Sequence, residues 1–304
     1  MRLDYSVAHP SLVNSEAMIE DLPNTPLVSA AWLLAHLEHP NVRVVDTRFV
    51  LGQPNAGRGL FEDHHIPGAV FADLERDLRE AVRADRVGGR HPLPALEILS
   101  ARLGALGIGD DDLVIAYDDP SSGQGFYAAH LWWLLRYLGH DAVRVLDGGI
   151  AAWIAAGGSL EAGTVAPTPA VLTPKPRLEM LVSADDVAGR SSNAVLIDSR
   201  APERYRGELE PLDPKAGHIP GAVNVNWAGG VQGGQWLEGA AQRERFAQVA
   251  DADEIIVYCG SGVSAAGNLL ALELAGVKDA KLYAGSWSDW VSDPERPVAT
   301  GHEA

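Results

Sequence analysis

Short apolar runs separated by longer segments of helical period recur along most of this chain. Arg43–Asp46, Leu113–Tyr117, Val143–Leu146 and Glu254–Val257 are brief and rich in Val, Ile and Leu, which predicts buried strands. Between them, Ala31–Leu37, Ala95–Leu106, Tyr127–Leu138 and Ala265–Ala275 read as helices. Ser29 suits the N-cap of the first, and Gly107 and Gly276 close the second and the last. Glu244–Val249 predicts a further helical segment before the strand at 255. Strands alternating with helices imply parallel sheets flanked by helices on both faces, the α/β class.

The pattern occurs twice. Leu27-Val28-Ser29-Ala30 returns as Leu181-Val182-Ser183-Ala184, and Val44-Val45-Asp46-Thr47-Arg48 as Leu196-Ile197-Asp198-Ser199-Arg200. His65-Ile66-Pro67-Gly68-Ala69-Val70 returns unchanged as His218-Ile219-Pro220-Gly221-Ala222-Val223. Val114–Tyr117 matches Ile255–Tyr258, and Gly148–Trp153 matches Gly285–Trp290. Two copies of one domain follow, residues 24–160 and 178–300, joined by an extended Pro- and Thr-containing linker over 161–177. The alignment sets Asp118 opposite Cys259. A carboxylate cannot carry sulfur, so the first copy is expected to be non-catalytic and to form one wall of a cleft.

Cys259 is the single cysteine of the 304 residues. It opens a turn, Cys259-Gly260-Ser261-Gly262-Val263-Ser264, between a predicted strand and a predicted helix. An α/β sheet places its chemistry at such a turn. Inward-facing N–H groups and the positive end of the following helix favour a thiolate over a thiol there. The loop lacks the Gly-Lys-Ser/Thr of a phosphate-binding loop, and Ala265 stands where a phosphatase would need an arginine. The cradle is small and neutral, suited to one sulfur or a small group bound to it. With no second cysteine, a disulfide, a resolving thiol and a cysteine-based zinc cluster are excluded within the chain.

Composition narrows the partners. Lys plus Arg is 24 against 41 Asp plus Glu, a net charge of −17, which argues against nucleic acid and anionic membranes. Hydrophobic content of 46% and the absence of a long apolar run fit a globular protein, with the cytoplasm as the expected location. The histidine spacings suggest no metal site.

The tandem layout, the paired His-Ile-Pro-Gly-Ala-Val motifs, Asp118 in place of a cysteine, and Gly285–Trp290 resemble the two-domain rhodanese sulfurtransferases over nearly the whole chain. The resemblance implies a persulfide on Cys259, formed from a small anionic donor and passed to cyanide, a thiol or thioredoxin, with no organic cofactor. Cys259-Gly260-Ser261-Gly262-Val263-Ser264-Ala265 is similar to the loop of the 3-mercaptopyruvate branch, whose Thr is here Ser264. Thiosulfate as donor, or a persulfide carrier serving a partner protein, are the alternatives.

Further roles are implied by the resemblance. Gly260, Gly262, Val263 and Ser264 would line the donor site, and Arg204, or else Arg206, would hold the donor carboxylate. The second arginine usual before Gly-His-Ile-Pro is missing from Glu210–Gly217, so Lys215 would stand in. Ser261 with His65 would form a proton relay. Against that role, His65 and His218 each precede a Pro-Gly turn and could simply tie it to the backbone. Asp46 with Arg48 and Asp198 with Arg200 are expected to be structural ion pairs.

Overall fold

The structure, a computed structural model, describes residues 19, 21–120, 125–249 and 251–302. The first domain holds β1 (Leu27–Val28), α1 (Ala30–His36), β2 (Val42–Asp46), α2 (Ala56–Asp63), β3 (Val70–Phe71), α3 (Leu96–Ala105), β4 (Leu113–Tyr117), α4 (Tyr127–Tyr137), β5 (Val143–Leu146) and α5 (Gly149–Ala155). The second holds β6 (Leu181–Val182), α6 (Ala184–Ala188), β7 (Ala194–Asp198), α7 (Pro202–Tyr205) and β8 (Ala222–Asn224). A small hairpin of β9 (Val231–Gln232) and β10 (Gln235–Trp236) follows, then α8 (Gly239–Arg245), β11 (Glu254–Tyr258), α9 (Ala265–Ala275), β12 (Lys281–Tyr283) and α10 (Ser286–Trp290). The two five-stranded sheets have the same order, β1-β5-β4-β2-β3 and β6-β12-β11-β7-β8, so the duplication seen in sequence is a duplication of topology. Every pairing within them is parallel.

Both faces of each sheet are covered, which is why the central strands are apolar without interruption. Along β4, Val114 and Ala116 enter one core, while Leu113, Ile115 and Tyr117 enter another on the opposite face. Along β11, Ile255 and Val257 separate in the same way from Ile256 and Tyr258. One of these cores runs through both domains. It contains Trp132, Trp133 and Leu135 of α4 together with Leu269, Leu270 and Leu272 of α9. Both helices are apolar nearly all round, because each packs on its own sheet and on the other helix. The two domains therefore meet in a buried apolar seam.

The linker is fastened to the first domain. Ala170 N–H donates to Gly104 O, Lys175 N–H to Leu138 O and Arg177 N–H to Tyr137 O. Asp110 N–H returns a bond to Val171 O, and Leu172 is buried. Among the described residues no helix is long and apolar enough to cross a membrane.

Candidate active site

Cys259 follows the last residue of β11 and is 1% exposed. Its loop is fixed from three directions. Cys259 N–H donates to Ser286 Oγ (3.1 Å), and Ser286 Oγ in turn donates to Tyr283 O (2.8 Å). Cys259 O accepts from Trp287 N–H and Gly260 O from Ser288 N–H, both at 3.0 Å. Gly262 N–H donates to Cys259 Sγ at 3.2 Å, so the backbone supplies a hydrogen bond to the sulfur itself. Gly262 has φ +85°, and a Cβ there would lie 2.3 Å from Ala284 O. Only glycine turns the loop at this point. Gly262→Ala is expected to lower stability by about 1–3 kcal/mol and to reduce turnover, which thermal unfolding and steady-state rates would register together.

Asp118 holds the equivalent place in the first domain, directly after β4. It is 2% exposed and accepts Ala128 N–H at 2.9 Å. Burial pushes its carboxyl up to about 8. The folded protein therefore retains a proton that the unfolded chain loses near pH 4. Stability from this group is full below that value and falls as pH rises towards 8. Asp118→Asn, which keeps the shape, is expected to raise the thermal midpoint more at pH 8 than at pH 5. An equal shift at both pH values would count against a buried neutral acid at this position.

Cys259 lies at the floor of a cavity of about 320 Å³ between the domains. Of the loop residues named from sequence for the donor site, Gly260, Val263 and Ser264 line it, joined by Ser261, whereas Gly262 does not and instead turns the loop and donates to the sulfur. Arg204 also lines it, carried on the short turn α7 that Pro202 opens. Its Nε and Nη2 are held by Glu210 at 3.2 and 2.7 Å. Arg206 instead pairs with Glu208 (2.7 Å), and Lys215 Nζ donates to Pro294 O (3.3 Å). Neither lines the cavity, so both are corrections to the sequence reading. Arg200 reaches the wall but is spent on Asp198, Glu210 and Gly217 O, stacked 4.7 Å from Trp287. It and Arg48, which pairs with Asp46 at 2.6 Å, are the expected structural ion pairs.

His65 is the larger correction. Its Nδ1 bonds Phe61 O at 2.7 Å, its ring stacks on Phe61, and its backbone pairs with Glu161. His218 repeats this arrangement with Tyr205, at 2.8 Å from the carbonyl. Both histidines tie their Pro-Gly turns to the fold. The imidazole at Ser261 belongs to His91, whose Nδ1 lies 2.8 Å from Ser261 Oγ. His91 Nε2 lies 3.4 Å from Glu75 Oε1. The bond to His91 holds the Glu75 carboxyl down to about 2, with Arg79 assisting. Glu75 is thus ionised near neutrality and suited to orient the His91 ring through Nε2. Burial, with the neighbouring His91 adding to it, holds His130 down to about 3, so His130 is uncharged near neutrality.

His91 and its neighbour Arg90 arrive from the first domain on a loop docked against the second. Gly88 N–H donates to Asp289 Oδ1 (2.7 Å) and Arg90 N–H to Ser288 Oγ (3.0 Å). A Cβ on Gly89 would stand 2.5 Å from Gly285 O, so the approach requires glycine. The first domain supplies functional groups to the cleft as well as a wall. The sequence signal was Gly88-Gly89-Arg90-His91, a glycine pair ahead of two cation-capable side chains.

This geometry, a cysteine held by backbone N–H at the end of a parallel strand in the second of two like domains, defines a cysteine-dependent group-transfer site. The rhodanese-like domain family matches residues 29–156 and 183–293. A protein of Pseudomonas aeruginosa named "Probable 3-mercaptopyruvate sulfurtransferase" is 44% identical over 287 residues, covering 92% of this chain and all of that one. A Mycobacterium tuberculosis protein named "Putative thiosulfate sulfurtransferase SseB" is 40% identical over 291 residues, covering 90% and 97%. The crystal structure of SseA from Escherichia coli, described as a 3-mercaptopyruvate sulfotransferase, superposes with a TM-score of 0.76 at 35% identity, covering 87% and 99%. The chain belongs to the rhodanese family, in its two-domain form. It is a sulfurtransferase.

Proposed function

We propose that the enzyme takes sulfur from 3-mercaptopyruvate onto Cys259 and passes it from the resulting persulfide to cyanide, a thiol or a thioredoxin-like dithiol. Relatives carry names for two donors, so the donor is argued from the site. The observation that carries the reading is the 2.8 Å contact between Ser261 and His91.

The two donors differ in proton demand. With 3-mercaptopyruvate, the Cys259 thiolate attacks the donor sulfur and an S–S bond forms. The C–S bond breaks, and its electron pair goes to the carbon of the departing enolate. The proton lost by the donor thiol ends on that carbon, giving pyruvate and an anionic persulfide. A proton must therefore leave sulfur and reach carbon. Ser261, His91 and Glu75 form a hydroxyl–imidazole–carboxylate chain beside the reacting sulfur, suited to that transfer. Thiosulfate releases sulfite and asks for no proton. Gly262 N–H would stabilise the sulfur in each state, and Arg204 would orient the donor carboxylate through a charge-assisted bond.

The test is a comparison of initial rates with 3-mercaptopyruvate and with thiosulfate, cyanide being the acceptor in both. A kcat/KM higher for 3-mercaptopyruvate by about two orders of magnitude or more is expected from a working relay. Faster turnover of thiosulfate would reject the donor assignment.

A further inference from the structure

Glu210–Gly217 contains no arginine, but a second guanidinium reaches the cavity from across the domain boundary. Arg90 lines the Cys259 cavity together with Arg204. The two guanidiniums come from different domains and converge on one point. A Cβ built on Gly260 would lie 2.9 Å from Arg90 Nη2 and 3.4 Å from Arg204 Nη1. Each arginine is anchored through its other nitrogens. Arg90 Nη1 is paired with Asp213, while Arg204 uses Nε and Nη2 on Glu210. Asp213 and Glu210 are themselves buried, their side chains 1% and 3% exposed. Asp213 Oδ2 has no hydrogen-bond partner among the described residues and stands 3.7 Å from Arg204 Nη2, so this one carboxylate bridges the two cations and offsets their mutual repulsion.

We infer that Arg90 is a donor-binding residue, and that with Arg204 it forms a two-pronged clamp for a single carboxylate above Gly260. The inference rests on the 3-mercaptopyruvate reading of the site and adds a second residue, from the other domain, that binds the donor. The clamp lies over the residue next to Cys259, so the bound carboxylate is only a few bonds from the sulfur under attack. A short thiol acid meets that spacing, with its carboxylate on the clamp and its sulfur over Cys259. The buried carboxylates of Asp213 and Glu210 offset the two guanidiniums, so the clamp suits one negative charge better than two. It also explains Gly260, since any side chain there would displace the Arg90 prong.

Alkylation of Cys259 tests the clamp without requiring turnover. Iodoacetate carries a carboxylate one carbon from the reacting centre, and iodoacetamide is its neutral counterpart. Arg90→Gln is expected to slow iodoacetate by about tenfold, as loss of one charge-assisted contact implies, while iodoacetamide changes by less than about threefold. Arg90→Lys should recover part of the iodoacetate rate. Because Arg90→Gln leaves Asp213 without its partner, the Arg90→Gln/Asp213→Asn pair is measured beside it and should give the same reagent ratio. For 3-mercaptopyruvate the loss should fall mainly on KM. An unchanged iodoacetate-to-iodoacetamide ratio in both Gln variants would overturn the assignment. If the ratio falls although neither sulfur donor turns over, the clamp stands and the donor reading fails.

Discussion

Cys259→Ser should abolish sulfur transfer while leaving the fold intact. Serine is slightly smaller but keeps the shape of the side chain, and its Oγ can still accept the Gly262 N–H that now reaches Sγ at 3.2 Å. The loop clamps from Ser286, Trp287 and Ser288 engage only backbone atoms of residues 259 and 260. What is lost is the sulfur nucleophile, and the chain has no other cysteine to replace it. Turnover with either donor should drop to the level of the uncatalysed reaction, with an unchanged unfolding midpoint. Residual activity above that level would mean that the transferred sulfur never resides on this side chain.

His91→Gln is expected to produce the next largest loss, and an unequal one. With 3-mercaptopyruvate the rate should fall by roughly 10²-fold or more, the usual contribution of a positioned acid–base group. With thiosulfate, which needs no proton transfer, the loss should be much smaller. Ser261→Ala should follow the same pattern, since its hydroxyl links the imidazole to the cleft. Glu75→Gln should be milder, because Glu75 acts on the ring from 3.4 Å and touches no donor. Equal losses with both donors would assign His91 to packing between the domains instead. The neutral Gln also tests the charge directly, because it keeps hydrogen-bonding capacity without a titratable ring.

The contrast between His91 and His65 shows where sequence reasoning reached and where it stopped. The place of Cys259 and its loop between strand and helix was legible because a tight glycine turn there is a local feature with a local cause, whereas Arg204 was named from the resemblance. The duplication and both sheets were legible because apolar strands recur in the same order. His65 attracted attention through its place in a repeated motif. That repetition was a clue in the other direction, for His218 occupies the same place, and both rings do the same scaffolding work. Function unique to one cleft should come from residues that are not duplicated. Glu75, Arg90 and His91 lie between β3 and α3, among turns with no strand or helix period. Their contacts with residues 261, 213 and 288 depend on how two domains dock, and no local pattern carries that information. The glycine pair at 88 and 89 was the available signal, and its meaning emerges only when Gly285 and Ser288 are seen pressed against it. Lys215 failed for a related reason. Its place ahead of Gly-His-Ile-Pro, where the resemblance expects an arginine, put it forward, but its backbone carbonyl accepts from Trp287 Nε1 and its ammonium is turned to Pro294.

The most direct test of the central claim is the mass of the protein after exposure to 3-mercaptopyruvate without an acceptor. The account predicts a gain of one sulfur atom, confined to the peptide containing Cys259, with pyruvate released in equal amount. Cyanide should then remove that sulfur as thiocyanate and restore the original mass. An unmodified protein that still consumes 3-mercaptopyruvate, or sulfur carried on any other residue, would contradict the persulfide mechanism.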